Sequence, residues 1–300
     1  MTPRIKAHLA LAGTNLFFAI NYSVVKFFTS TNIAGALGIN IIRVGVSLVI
    51  FWALFLFKPK KPGFSKKDWI TLILCAFAAI ALNQLLFIKG LSLSLPIHAA
   101  LLTLITPILI TLLAVRMLNE KLSVTKLVGL LLGISGALLL IGGREKGAPG
   151  DNIVLGDFLV ILSAIAYTFY FILVKPLMDR HSPIDVVRWI FTFGFFFTLP
   201  LCFREFTEIQ WQAFTGKHWI LLFLIVVPGT SLAYIFNVYG IKILSASTAG
   251  AYIYSQPIFA VIIAMLFLHQ KLSLVIIMAG VLIFSGVYLS NRKPRIILLE

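Results

Sequence analysis

Four cations sit inside or at the ends of long apolar runs: Lys26, Arg43, Lys175 and Arg188. A lysine or arginine at the centre of a lipid-facing helix costs about 2.5–3.5 kcal/mol on insertion scales. Such residues either reach back to the headgroups along their own stems or face a polar interior. The lysine and the arginine each occur twice. Val25-Lys26 resembles Val174-Lys175, and Ile39-Asn40-Ile41-Ile42-Arg43 resembles Ile184-Asp185-Val186-Val187-Arg188. A basic pair near each mouth of a central cavity would favour anionic or carboxylate-bearing solutes. For any one of the four taken alone, reaching to headgroups is the competing reading.

Other polar side chains fall at helical spacing. Asn15, Ala19, Tyr22 and Lys26 are spaced 4, 3 and 4, one polar stripe on an otherwise apolar helix. His98 and Thr106 make a similar stripe, as do Thr248, Tyr252 and Ser255, with Gln256 beside them; Asn83, Gln84 and Asn237 add amides. Singly, each serves as readily to bond a neighbouring helix; as a set they point to one cavity. Pro107 and Pro257 lie inside apolar runs and deprive the carbonyls of Thr103 and Ile253 of their helix donors. They are expected either to kink their helices or to expose carbonyls along a cavity.

Absent residue types also discriminate. All ten acidic residues lie in loops, termini or span ends. No carboxylate is therefore expected at mid-membrane to carry a proton or pair a lipophilic cation, which argues against efflux of cationic drugs. His98 keeps proton coupling open, with facilitated diffusion as the alternative. The sequence has no phosphate-binding glycine loop, no metal-ligand cluster and no nucleophile–base pair. No catalytic residue, metal or cofactor is expected, and the chain does not read as an enzyme.

The elements that must position these residues are apolar spans. The 300 residues are 60% hydrophobic and 12% charged, far from a soluble domain. Runs of membrane-spanning length recur near 8–28, 34–57, 69–89, 95–116, 124–142, 156–175, 185–203, 218–239, 245–267 and 273–290. The net charge of +15 sits in short clusters between these runs, so no nucleic-acid partner is expected. Cys75 and Cys202 both fall inside apolar runs and imply no disulfide framework. Arg4 and Lys6 precede the first run without a small-residue cleavage site, so that run is read as a retained span.

The runs are a duplication. Shifting the sequence by 150 residues places Gly90 on Gly240 and continues without a gap to Leu139 on Leu289, with thirteen identities. Among them are both prolines, Lys-Leu-Ser (121–123 and 271–273) and Ser-Gly (135–136 and 285–286). Residues 1–142 form the first five-span repeat, 143–155 a central loop and 156–300 the second repeat with a short basic tail. With the N-terminus in the cytoplasm, fifteen loop lysines and arginines fall on the cytoplasmic side and six on the other. Five spans are an odd number, so the second repeat enters the membrane from the opposite side. The expectation is an all-α membrane protein: ten transmembrane helices as two inverted five-helix repeats, both termini cytoplasmic, in the cell membrane.

Two five-span repeats with Val25-Lys26 ending the first span, Pro107 inside the fourth, Asn119-Glu120-Lys121-Leu122 after it and Ser135-Gly136 closing the fifth resemble the EamA family of the drug/metabolite transporter superfamily. Gln270 departs from the pattern, standing where the second repeat would match Glu120. The resemblance implies a ten-helix carrier with a central cavity, and export of amino acids or other small metabolites. Inverted repeats suit alternating access around a midplane site. The expected partners are a small-molecule substrate and the lipid bilayer, with a homodimer left open. The rival readings are a phosphate-ester or nucleotide-sugar exchanger using all four cations, and an intramembrane lipid-modifying enzyme, for which no acid/base or metal motif is visible.

Overall fold

The computed structural model describes residues 2–57, 63–106, 109, 124–142, 152–244, 252–269 and 272–291, and among them every regular element is helical. In chain order these are α1 (Pro3–Ser30), α2 (Ala36–Phe57), α3 (Lys66–Leu93), the short α4 (Pro96–Leu102) and α5 (Val124–Gly142). There follow α6 (Ile153–Arg180), α7 (Pro183–Thr207), α8 (Gly216–Ile243), α9 (Ser255–Leu268) and α10 (Leu274–Asn291). Six of them, α1, α2, α3, α6, α7 and α8, are long and apolar enough to cross a membrane. Large apolar side chains such as Leu56, Phe196, Phe267 and Leu274 are exposed along the outside, while asparagine, serine, threonine and arginine are buried within. That is the distribution of a chain whose outer solvent is lipid, and the protein is an integral multi-pass membrane protein.

Local chemistry sets the helix ends. Thr2 caps α1 by accepting from the Ile5 N–H, with Pro3 at the first helical position, where no donor is needed. Ser65 and Asp68 close a reciprocal capping box on α3; Thr215 and His218, each 150 residues on, do the same for α8. The interior of α3 unwinds into a π-helix at Phe77–Gln84, and α8 does so at Val227–Leu232, from the corresponding residue. In α8 the cause is legible: Pro228 supplies no N–H, and the hydroxyls of Thr230 and Ser231 bond instead to the carbonyls of Ile225 and Val226, five residues back.

The duplication therefore extends to geometry. α1 and α6 both run 28 residues, offset by 150. Counterparts pack on each other, α2 on α7 and α5 on α10, and the packing of α3 on α6 is matched by that of α8 on α1. Self-matching of this kind is the mark of a two-fold relation. At the α5–α10 crossing a Cβ on Gly286 would lie 2.5 Å from the Gly129 carbonyl oxygen, so the two backbones meet with no room for a side chain. The end of α1 and the start of α6 lie at one end of the molecule, because Lys26 bonds the Ser94 carbonyl and Ser94 bonds Asp157. α1 and α6 thus run in opposite directions. The end holding the N-terminus is called the near face and the other the far face.

One expectation is corrected. Pro257 does not kink a helix interior: it is the third residue of α9, in the first turn, where an amide donor would have no intrahelical partner. The interruption lies ahead of it, where Tyr252–Tyr254 forms a 3-10 turn. Pro107 lies outside the described residues, yet α4 already stops at Leu102 and continues through 3-10-type bonds from Leu104 to Leu101 and from Thr106 to Thr103. The fourth run is broken before its proline. Prolines that do fall inside helices, among the described residues, are Pro176, Pro200 and the Pro228 of the α8 π segment.

Candidate functional site

A cavity of about 110 Å³ lies where the two sets of helices meet. Its wall takes Thr14, Asn15, Phe18, Asn21 and Tyr22 from α1, Arg43 from α2, Asn83, Gln84 and Phe87 from α3, and Thr103 and Thr106 from the broken fourth run. From the second set come Ser163, Ala164, Tyr167 and Phe171 of α6, Tyr234 and Asn237 of α8, and Ile253 and Gln256 around the start of α9. At roughly 10–15 Å³ of such space per water, there is room for several waters or a small organic solute.

The wall is hydrogen-bonded from within. Asn83 Nδ2 donates to the Ser163 carbonyl (2.9 Å) and Gln84 Nε2 to the Tyr234 hydroxyl (3.0 Å), its own counterpart 150 residues on. Asn237 Nδ2 donates to Tyr167 Oη (3.1 Å), and Gln256 Nε2 to Tyr22 Oη (3.0 Å), which also meets Thr103 Oγ1 at 3.2 Å. Each of these bonds except the last joins the first repeat to the second or runs within the second's own wall. Asn21 Nδ2 donates to the Gly229 carbonyl (2.7 Å). The oxygens of two of these amides, Asn21 Oδ1 and Gln84 Oε1, are buried and accept no bond among the described residues. An unpaired acceptor at this depth is costly unless a ligand or water meets it.

Among the described residues Arg43 is the one charged side chain in the wall. It is 5% exposed, and its Nε donates to Thr230 Oγ1 at 2.9 Å, on the π segment of α8. Beside it Ser47 and Ser231 share a hydrogen bond of 2.8 Å. Among the described residues no carboxylate pairs with Arg43 and none lines the cavity. The arrangement holds one guanidinium, hydroxyl and amide donors, two unsatisfied oxygen acceptors and the rings of Phe18, Phe87 and Phe171. Chemically it can receive a carboxylate on the guanidinium and donor hydrogens on the amide oxygens.

Of the residues expected from the sequence, the structure brings Tyr22, Arg43, Asn83, Gln84, Thr106, Asn237 and Gln256 to the cavity. The others lie elsewhere. Lys26 bonds the carbonyls of Ser92 (2.9 Å) and Ser94 (2.7 Å), and His98 bonds Asp157 (2.9 Å), both at the far face. Lys175 is on the near-face surface, 2.6 Å from Asp179. Arg188 lies over the rings of Trp52, Phe55 and Trp189 with an ion pair to Asp185 at 3.0 Å. The Tyr252 hydroxyl meets His8 Nδ1 at 2.8 Å, and the Ser255 hydroxyl donates to the Tyr252 carbonyl. Thr248 lies outside the described residues. Among the described residues the carboxylates sit at span ends as expected, but two of them, Asp68 and Asp157, are buried there.

Sequence reasoning passed over Asn21, Ser163, Tyr167 and Tyr234, and singled out Thr103 for its carbonyl alone. For Tyr234 a signal existed: the 150-residue shift places it on Gln84. Asn21 gave none, since it lies off the Asn15–Lys26 stripe and reaches the cavity only because the π segment of α8 brings Gly229 to it.

Comparison with known proteins follows the same division. The model of the EamA-like transporter family matches residues 5–142 and again 154–292. An uncharacterized transporter of Bacillus subtilis, YetK, is 25% identical over 252 residues, 83% of this chain and 76% of its own. An uncharacterized transporter of Archaeoglobus fulgidus is 20% identical over 97% of this chain and 99% of its own length. A WAT1-related protein of Arabidopsis thaliana is 22% identical over 95% and 85%. One crystal structure superposes with a TM-score of 0.64 at 18% identity, covering 95% of this chain and 96% of its own, a likeness of fold.

Proposed function

The chain belongs to the EamA-like transporter family, and we propose that within it this protein is a secondary carrier of a small zwitterionic or anionic metabolite, an amino acid being the type case, moved outward by alternating access. The observation that carries the reading is Arg43: a buried guanidinium in a cavity between two repeats, with no carboxylate among the described residues of the wall to neutralise it. A substrate carboxylate would supply the missing charge, and Asn21 Oδ1 and Gln84 Oε1 would accept from its ammonium group. The hydrophobic wall of Phe18, Phe87 and Phe171 would take an apolar side chain.

The supporting architecture is ten spans in two inverted repeats, divided at 143–155. In favour are the reciprocal helix contacts and the opposite directions of α1 and α6. Both termini lie in the cytoplasm of a cell whose plasma membrane holds the protein, since the lysine and arginine excess falls on that side. Rocking of one repeat against the other would expose the cavity to each face in turn. A single cation in the wall suits a monocarboxylate better than a phosphate dianion, which would call for several.

Counterflow in proteoliposomes tests this. Vesicles are preloaded in turn with an amino-acid mixture, organic anions or sugar phosphates, at equal pH on both sides. Uptake of labelled amino acid that requires an amino-acid preload is the expected result. Exchange confined to phosphorylated preloads would replace the reading with a phosphate-ester exchanger.

A further inference from the structure

We propose that His98 and Asp157 form a proton-binding site, separate from the cavity, that latches the far face of the molecule. His98 lies in the first turn of α4 and Asp157 in the first turns of α6; Nδ1 of the imidazole is 2.9 Å from Asp157 Oδ2. The other carboxylate oxygen accepts from the Ser94 hydroxyl. The carbonyl of Ser94 in turn accepts from Lys26 Nζ at 2.7 Å. All four residues are buried, at 2%, 0%, 0% and 8% exposure for His98, Asp157, Ser94 and Lys26. Three belong to the first repeat and Asp157 to the second, so the cluster spans the seam that far-side access must part. The seam is tight: a Cβ on Gly156 would lie 2.7 Å from both the Gly90 oxygen and the Ser94 nitrogen.

Among the described residues the groups facing His98 are few. α6 brings Asp157 and α1 brings Lys26 and Tyr22. The end of α3 brings only Ser92 and Ser94, its Lys89 being turned outward toward Glu205 at 4.0 Å. α9 has no titratable residue; with α10 it contributes Ala260, Ala264, Ile276, Ala279 and Ile283 to this core, and Tyr288 of α10 is exposed. The charged residue of α5 is Lys126, in its first turn. Asp157 is thus the acceptor on which a charge change at His98 acts.

Neutral His98 gives Asp157 one ordinary hydrogen bond through Nδ1–H. A proton taken up at Nε2 leaves that bond in place and turns it into a hydrogen-bonded ion pair, adding the attraction between imidazolium and carboxylate. Protonation therefore tightens α4 onto α6 and holds the far face shut; losing the proton loosens it. The latch reaches the cavity through two rigid segments. Tyr22 stands one turn, about 6 Å, before Lys26 on α1, and Thr103 follows directly on α4, the two joined at 3.2 Å. In a carrier, opening the far face would release one proton and closing it would take one up.

The test needs no substrate, so it stands apart from the counterflow experiment. Val160 is buried against Gly90 on the α3–α6 seam. The V160C chain in nanodiscs is labelled with a soluble maleimide between about pH 5 and 8, the window in which histidine side chains change charge. Each rate is normalised to the same chain unfolded in detergent. Labelling is expected to rise about fivefold with pH, and to be fast and pH-independent when H98Q or D157N is added. Labelling of V160C that does not respond to pH overturns the proposal by itself, whether or not the double variants fold. So does a pH response that survives in V160C/H98Q.

Discussion

Lys26 and Lys175 lie in the last two turns of equivalent helices in the same Val-Lys pair, and Arg43 and Arg188 follow equivalent Ile/Val runs. Their surroundings differ. The Lys26 side chain is enclosed and holds two backbone carbonyls, whereas Lys175 is 38% exposed and pairs with a neighbour one turn on. Arg43 opens on the central cavity; Arg188 is stacked on Phe55, 3.7 Å from the ring centre, with Nε and Nη1 unpaired among the described residues. Duplication specifies which face of which helix a residue occupies. It does not specify the conformation around it, and under the proposed alternating access the two ends of the molecule would be in different states at any moment. In the cycle proposed above, the near-face pair would take on the far-face arrangement when the molecule reverses.

The largest contrast is expected between the lysines. Lys26→Met removes the donor to the buried Ser94 carbonyl, at about 1–3 kcal/mol, and to the part-buried Ser92 carbonyl, and the melting temperature should fall by several degrees. Lys175→Met removes an exposed i,i+4 pair worth about 0.3–0.5 kcal/mol and should leave melting unchanged; equal losses would erase the distinction. Next come the arginines. Arg43→Gln should lower amino-acid counterflow about 10- to 150-fold, the range for a hydrogen bond to a charged group, while Arg188→Gln stays within about threefold. A comparable loss at Arg188 would instead mean that it contacts substrate in the opposite state, which sharpens the comparison.

Where the two-fold does hold, counterpart changes should agree. Gly136→Leu and Gly286→Leu both wedge the α5–α10 crossing and should destabilise alike, by about 1–3 kcal/mol each; a one-sided effect would show the crossing to be asymmetric. The smallest effect is expected from Tyr22→Phe, which deletes the hydroxyl between Thr103 and Gln256. At about 0.5–1.5 kcal/mol, half-saturation in counterflow should rise two- to tenfold.

Much of the fold was legible because it rests on local signals. The run at 124–142 coincides with α5, and the 150-residue shift recurs in helix lengths, caps and π segments. The cavity was legible where polar residues kept helical spacing, as in Tyr22, or shared a run, as in Asn83 and Gln84. What escaped depends on partners distant in sequence. Nothing in α1 alone says that Lys26 turns to Ser92 and Ser94 rather than to the cavity, since both lie on the same side of the helix. Asp157 read as a span-end carboxylate, and only the packing of α4 against α6 encloses it. The π segments escaped because a hydroxyl accepting the role of a missing amide donor looks, in sequence, like any Thr-Ser pair.

The central claim is that the two repeats are inverted, and counterpart positions test it most directly. Gly63 precedes α3, and Ala213, 150 residues on, precedes α8; Ala213 is exposed and a Cβ on Gly63 meets nothing within 4 Å. Both native cysteines are buried. With Gly63→Cys and Ala213→Cys made singly and labelled in intact cells by an impermeant maleimide, the account predicts that Ala213→Cys reacts and Gly63→Cys reacts only after permeabilisation. Labelling of both from the same side would contradict it.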